Sequence, residues 1–296
     1  MATEWDQLSQ KERDDRVSPS ASSNRFSREE CTQRFIKAIA SGSEVARSCM
    51  HHEFDIPYND GKRQAIDIFW PDIRQEDSPV LVFFHGGYWQ ALSKEDNGLV
   101  AMHPTKKGAI VAVVGYTIAP QGTLAQMVQE AEQAVAFLAK KFPKSRFYVG
   151  GHSAGGHLSA MLLSVDWSKK HGLPKDFIRG AFLLSGVFDV RPLVSTYINE
   201  PLKLTDEEAY KVSPIVPENL ERAIQFSSHC RVVAIYGEYD PKYFHEMSED
   251  YAKALSERGL DVVCEMIPGM DHFEPCERLL EANNRVTEAL LQLVFP

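Results

Sequence analysis

One serine in the chain stands where it could act as a nucleophile: Ser153, in Gly151-His152-Ser153-Ala154-Gly155. A serine hydroxyl attacks a carbonyl only when a neighbouring base takes its proton. The G-x-S-x-G pattern presents the hydroxyl, and the base must come from elsewhere in the chain. A strand that turns sharply into a helix strains the serine and presents its hydroxyl at the turn. A side chain at Gly151 or Gly155 would collide across so tight a turn. Two partners follow in the order nucleophile, acid, base: Asp240, in Gly237-Glu-Tyr-Asp-Pro241, and His272, in Pro268-Gly-Met-Asp-His-Phe273. His272 is the candidate general base, and Asp240 the carboxylate that would fix its tautomer and stabilise the imidazolium. Glu238 and Asp189 are alternative acids. Asp240 read blandly is only a cap for the helix after Pro241.

Upstream, His85-Gly86-Gly87 ends an apolar run. Gly86 and Gly87 let the backbone approach a substrate, so their loop is a candidate source of N–H donors for a developing oxyanion. The N–H of Ala154, at the start of the elbow helix, is the other candidate. His152 and His157 flank the elbow and are expected to orient the turn or line the pocket. No His/Cys/carboxylate cluster has zincin spacing, so no metal is expected. No G-x-G-x-x-G or Walker loop calls for a nucleotide, and no cofactor is expected.

The elements that must position these residues alternate. Apolar or alternating runs at 65–70, 79–84, 109–114, 147–149, 181–184, 232–236 and 262–267 read as strands, most of them buried on both faces. Helical spacing appears at 26–48, 92–105, 123–142, 158–165 and 242–258. A last helix is expected from Pro275, carrying Leu279, Ala282, Val286, Leu290 and Leu293 inward. Strand alternating with helix predicts an α/β fold, with a mostly parallel, doubly wound sheet and helices on both faces. The stretch 190–228, broken by Pro192, Pro201, Pro214 and Pro217, is expected as a small cap-like insertion. No linker divides 26–296, which is read as a single domain. Residues 1–25, polar and Ser-rich, are expected as a flexible N-terminal arm.

Composition narrows the function. Hydrophobic residues make up 44% and charged residues 25%, enough for a substantial core. The net charge of −9 argues against a nucleic-acid partner. No run is long enough to span a bilayer, so no membrane partner is expected. Five widely spaced cysteines without a C-x-x-C, and no N-x-[ST] site, point to reduced thiols and a cytoplasmic location. A small-molecule substrate is expected. Oligomeric state is not legible, and a homodimer stays open.

His85-Gly-Gly-Tyr-Trp-Gln90, Gly151-His-Ser-Ala-Gly-Gly156, Gly237-Glu-Tyr-Asp240 and Asp271-His-Phe273 together resemble the kynurenine formamidase (arylformamidase) family. This family is related to the hormone-sensitive-lipase-like esterases of the α/β-hydrolase fold. The resemblance spans about residues 55–295. His-Gly-Gly and G-x-S-x-G belong to the whole esterase group, whereas Tyr88-Trp89-Gln90 points to the formamidases. Esterases of the group often carry Glu after the Ala-Pro of the strand-end motif, but here Ala119-Pro120 precedes Gln121. The resemblance implies hydrolysis of N-formyl-L-kynurenine to L-kynurenine and formate, in tryptophan catabolism, through a Ser-His-Asp triad and a formyl-enzyme. It also implies aromatic walls around the leaving group: Tyr88, Trp89 and Phe273 are the candidates, with His152 beside them. A general carboxylesterase and a non-catalytic binding protein on the same scaffold remain the alternatives.

Overall fold

The computed structural model describes residues 5–296. Its strands are β1 (His52–Pro57), β2 (Ala65–Phe69), β3 (Val80–Phe84), β4 (Ile110–Val114), β5 (Phe147–His152), β6 (Ile178–Leu184), β7 (Arg231–Tyr239) and β8 (Asp261–Asp271). They form one sheet in the order β1-β2-β4-β3-β5-β6-β7-β8. The β1–β2 and β2–β4 pairs are antiparallel. Every pair from β4 to β8 is parallel. This is the expected α/β arrangement. The parallel strands carry continuous apolar runs because helices cover both of their faces.

Alternation within each strand splits the core in two. Val80, Val82 and Phe84 of β3 pack with the helices Leu124–Lys141, Ala154–Leu162 and Lys242–Ser256. Leu81 and Phe83 pack the other way, against Phe35 and Ile39 of helix Arg28–Cys49 and Val286, Leu290 and Leu293 of helix Arg285–Val294.

Three local expectations change. The C-terminal helix is not continuous from Pro275. Helix Glu274–Glu277 runs into a 3-10 turn, Arg278–Leu280, and a new helix starts at Arg285. The break comes from Asn284, whose side chain accepts from Val286 N and Thr287 N as an N-cap, which leaves Ala282 exposed. The helix expected at 92–105 is a 3-10 stretch, Lys94–Ala101.

The third change concerns the N-terminal arm. Residues 1–4 lie outside the described residues, but from Trp5 onward the chain packs against the body. Trp5 Nε1 donates to Ser195 Oγ at 3.0 Å, and its ring lies 6.3 Å from that of Tyr243. Helix Gln10–Arg16 opens with a capping box at Ser9 and Glu12. Val17 is fully buried. A polar composition hides this docking because its anchors are a few isolated residues rather than a periodic apolar face.

Candidate active site

β5 ends at His152, and helix Ala154–Leu162 begins two residues later, with Ser153 as its N-cap. Ser153 has φ 55° and ψ −114°, a backbone that costs a non-glycine residue roughly 1–3 kcal/mol. The flanking glycine makes the turn possible. A Cβ on Gly155 would lie 1.9 Å from the Phe84 carbonyl oxygen. Strain of this kind persists only where the surroundings enforce it, as the hydrogen bond from Ser153 N to Leu184 O at 2.8 Å does here.

The last two strands bring the candidate acid and the candidate base together. Their ladder continues past the ends expected from sequence, to the pair Tyr239–Asp271. The next residue on each strand is Asp240 and His272. His272 Nδ1 lies 2.5 Å from Asp240 Oδ1, a charge-assisted geometry. The other carboxylate oxygen accepts from Ser185 Oγ at 2.7 Å and from Gly237 N at 2.8 Å. Asp240 is 4% exposed and His272 2%. Neither competing carboxylate is so placed. Asp189 pairs with Arg191 at 2.6 Å, and Glu238 accepts from Gly269 N.

Ser153 and His272 line one pocket of about 180 Å³, together with Gly87, Tyr88, His152 and Phe273. Ser18, Pro19 and Ser20 of the N-terminal segment, and Thr32, Phe35 and Ile36 of the following helix, form its outer wall. Tyr197 is the one residue of 190–228 that lines it, so the cap-like role expected of that stretch rests on Tyr197. Among the described residues no Asp, Glu, Lys or Arg lines the pocket. A larger cavity of 540 Å³, near Lys106, Lys107 and Arg146, lies at the other end of β3 and holds none of these groups.

The His85-Gly86-Gly87 loop touches the elbow: a Cβ on Gly86 would sit 3.3 Å from Ser153 Cβ. Gly87 has φ +98°, and Tyr88, Trp89 and Leu92 are also left-handed, which folds the loop tightly back on itself. Ala154, at the first helical position, has an N–H with no intrahelical acceptor.

Trp89 does not line the pocket. It is 0% exposed, with its ring 4.9 Å from His157 and edge-on to it, inside the core. Its backbone, like that of Tyr88, is left-handed, with φ 59°. Tyr88 and Phe273 do face the pocket. The Tyr88 hydroxyl is already spent on Val17 O, at 2.6 Å.

The other buried histidines are electrostatically quiet. Burial pushes His152 down to about 3, helped by the neighbouring His272, and takes His85 and His157 down to about 4. His152 Nε2 donates to His272 O at 2.8 Å, so this histidine braces the His272 backbone. Sequence reasoning missed a further contributor, Asp271. It is wholly buried, and hydrogen bonds from Arg25 and Ser23 outweigh the upward push of its burial to hold its carboxyl low. Only its position beside His272 signalled it.

Among the described residues no group of three or more His, Cys, Asp or Glu could hold a metal ion, and no helix is long and apolar enough to cross a membrane. All five cysteines are free.

Comparison with known proteins decides the family. The family described as "alpha/beta hydrolase fold" matches residues 81–274. The kynurenine formamidase of Danio rerio is 38% identical over 293 residues, covering 99% of each chain. That of Salmo salar is 39% identical, covering 98% of each. The chain belongs to the kynurenine formamidase family of α/β hydrolases. As a member of that family it is a hydrolase. A solved structure of a putative thioesterase from Silicibacter sp. is similar with a TM-score of 0.75, at 26% identity over 90% of this chain and 95% of that one. An esterase from Pyrobaculum calidifontis, at 21% identity and TM-score 0.70, shares the fold.

Proposed function

We propose that the protein is a serine hydrolase that cleaves the formamide of N-formyl-L-kynurenine to L-kynurenine and formate. What supports the hydrolytic part is His272, paired behind with Asp240, in the pocket that also holds Ser153 on a strained elbow. The substrate rests on the full-length relatives named kynurenine formamidase.

Ser153 Oγ attacks the formyl carbon while His272 Nε2 takes its proton. Asp240 holds Nδ1–H and stabilises the imidazolium. The N–H of Ala154 and the N–H groups of the Gly86-Gly87 loop are the donors for the oxyanion. His272 then protonates the departing arylamine nitrogen, leaving formyl-Ser153. Water, deprotonated by His272, attacks the formyl carbon; the bond to Ser153 Oγ breaks, His272 returns the proton to Oγ, and formate leaves. Support for a compact substrate comes from the pocket volume of 180 Å³, small beside the roughly 300–1,000 Å³ of sites for drug-sized ligands. Phe273, Tyr88 and Phe35 supply aromatic wall for an aryl leaving group.

The test is formate release from N-formyl-L-kynurenine by the purified protein, with Ser153→Ala as control and p-nitrophenyl acetate as competing substrate. Formate release lost in Ser153→Ala is expected. Ester turnover with no formamide turnover would instead assign a carboxylesterase. No labelling of Ser153 by a fluorophosphonate would argue for a binding protein.

A further inference from the structure

The turn carrying His272 is held by a carboxylate that the hydrolytic chemistry does not use. Asp271 Oδ1 accepts from the N–H of Phe273 at 2.9 Å and of Glu274 at 3.1 Å, the two peptide groups that follow His272. This carboxylate is fully buried, and a buried charge without compensation either neutralises or pulls the local structure apart.

Its compensation comes from far away in the chain. Arg25 grips it with two prongs, Nη2 to Oδ1 at 2.9 Å and Nε to Oδ2 at 3.0 Å. Ser23 Oγ adds a hydrogen bond to Oδ2 at 2.6 Å. The same guanidinium reaches Glu277 at 2.8 Å and Glu274 at 3.5 Å. That cation lies against three carboxylates on the short segment that carries His272, and Arg278 shares the load at Glu274, at 3.0 Å. On the other side, His152 holds the His272 carbonyl.

We infer that Arg25 is a positioning residue: through Asp271 it fixes the backbone of His272, so that the imidazole stays aligned between Asp240 and the pocket. This rests on the reading of His272 as the base. A small displacement of such a group costs turnover far more than it costs ground-state binding. Two prongs on a planar carboxylate are specific to arginine, and an ammonium at the same place restores charge without the fork.

Arg25→Gln and Arg25→Lys are compared with the parent protein for kcat and KM on N-formyl-L-kynurenine and p-nitrophenyl acetate, at a temperature where melting curves show each variant folded. The expected result is a roughly ten- to hundredfold fall in kcat for Arg25→Gln on whichever substrate is turned over, with KM held within about twofold. Arg25→Lys should recover part of the loss, and fluorophosphonate labelling of Ser153 should slow in parallel. Unchanged kcat, or a loss confined to KM, overturns the inference. If Arg25→Gln fails to fold, Arg25→Lys against the parent gives the same reading, and a parental kcat overturns it. His272→Ala separates the two layers. Full turnover in that variant sinks the underlying mechanism, whereas no turnover there with a parental Arg25→Gln sinks only the positioning role.

Discussion

Ser153 and His272 stand out by residue type and order, but the acid does not, because three carboxylates lie in suitable loops. Contacts separate them. Asp240 receives Nδ1 of His272 together with Ser185 Oγ and Gly237 N, while Asp189 spends its oxygens on Arg191. Asp240→Asn should therefore lower kcat by about 10⁴, through the wrong imidazole tautomer. Asp189→Asn should stay within about tenfold of the parent, since no proton transfer depends on it. Steady-state kinetics on both variants checks this, and the opposite ranking would move the acid to Asp189. Trp89 marks the limit of sequence at this scale. Neighbours in the chain share a loop but not a direction: both backbones are left-handed, yet Tyr88 faces the pocket and Trp89 the core.

Among the elements, the strand-to-helix elbow was legible because its demand is steric and local. Gly155 meets the Phe84 carbonyl, which belongs to a central strand and cannot yield. Gly155→Ala should destabilise by at least ~3 kcal/mol. Gly108→Ala is a fair comparison: its φ is +101° but nothing lies within 4 Å of an added Cβ, so only the backbone term of about 1–2 kcal/mol applies. Urea midpoints of the two variants give the contrast, and equal costs would refute the steric account. The ends of β7 and β8 were not legible. Gly237 and Pro268-Gly269 look like turns, yet the ladder runs on through a register shift to Tyr239 and Asp271. Only that pairing puts Asp240 beside His272.

At the level of the whole molecule, burial of neutral histidines ties stability to pH. His85, His152 and His157 have folded values of about 4, 3 and 4, against an ordinary 6.5. Between pH 6.5 and about 4 the unfolded chain binds more protons than the folded one, so stability is full above 6.5 and is lost as pH falls. Each histidine contributes a slope of up to about 1.4 kcal/mol per pH unit in that window. Urea denaturation from pH 7.5 to about 4.5 should show this loss. His157→Gln, which can keep the hydrogen bond to Val212 O, should flatten the curve by one histidine's share. An unchanged slope would mean that His157 titrates normally in the folded state. The N-terminal segment belongs to this scale too. Its Ser18, Pro19 and Ser20 line the pocket and its Arg25 latches the loop of His272, which its composition did not announce.

The sequence by itself determined the alternation of buried strands and helices, the elbow around Ser153, and the chain order of Ser153, Asp240 and His272. Each of these depends on residues close in the chain, through periodicity, sterics or turn chemistry. Tertiary structure decided which carboxylate meets His272, which aromatic rings face the pocket, and that Arg25 holds Asp271. Those contacts join residues far apart in sequence, and what selects them is the cost of leaving a buried charge or hydrogen-bonding group unpaired. That cost is set by the folded surroundings, and no local pattern encodes it.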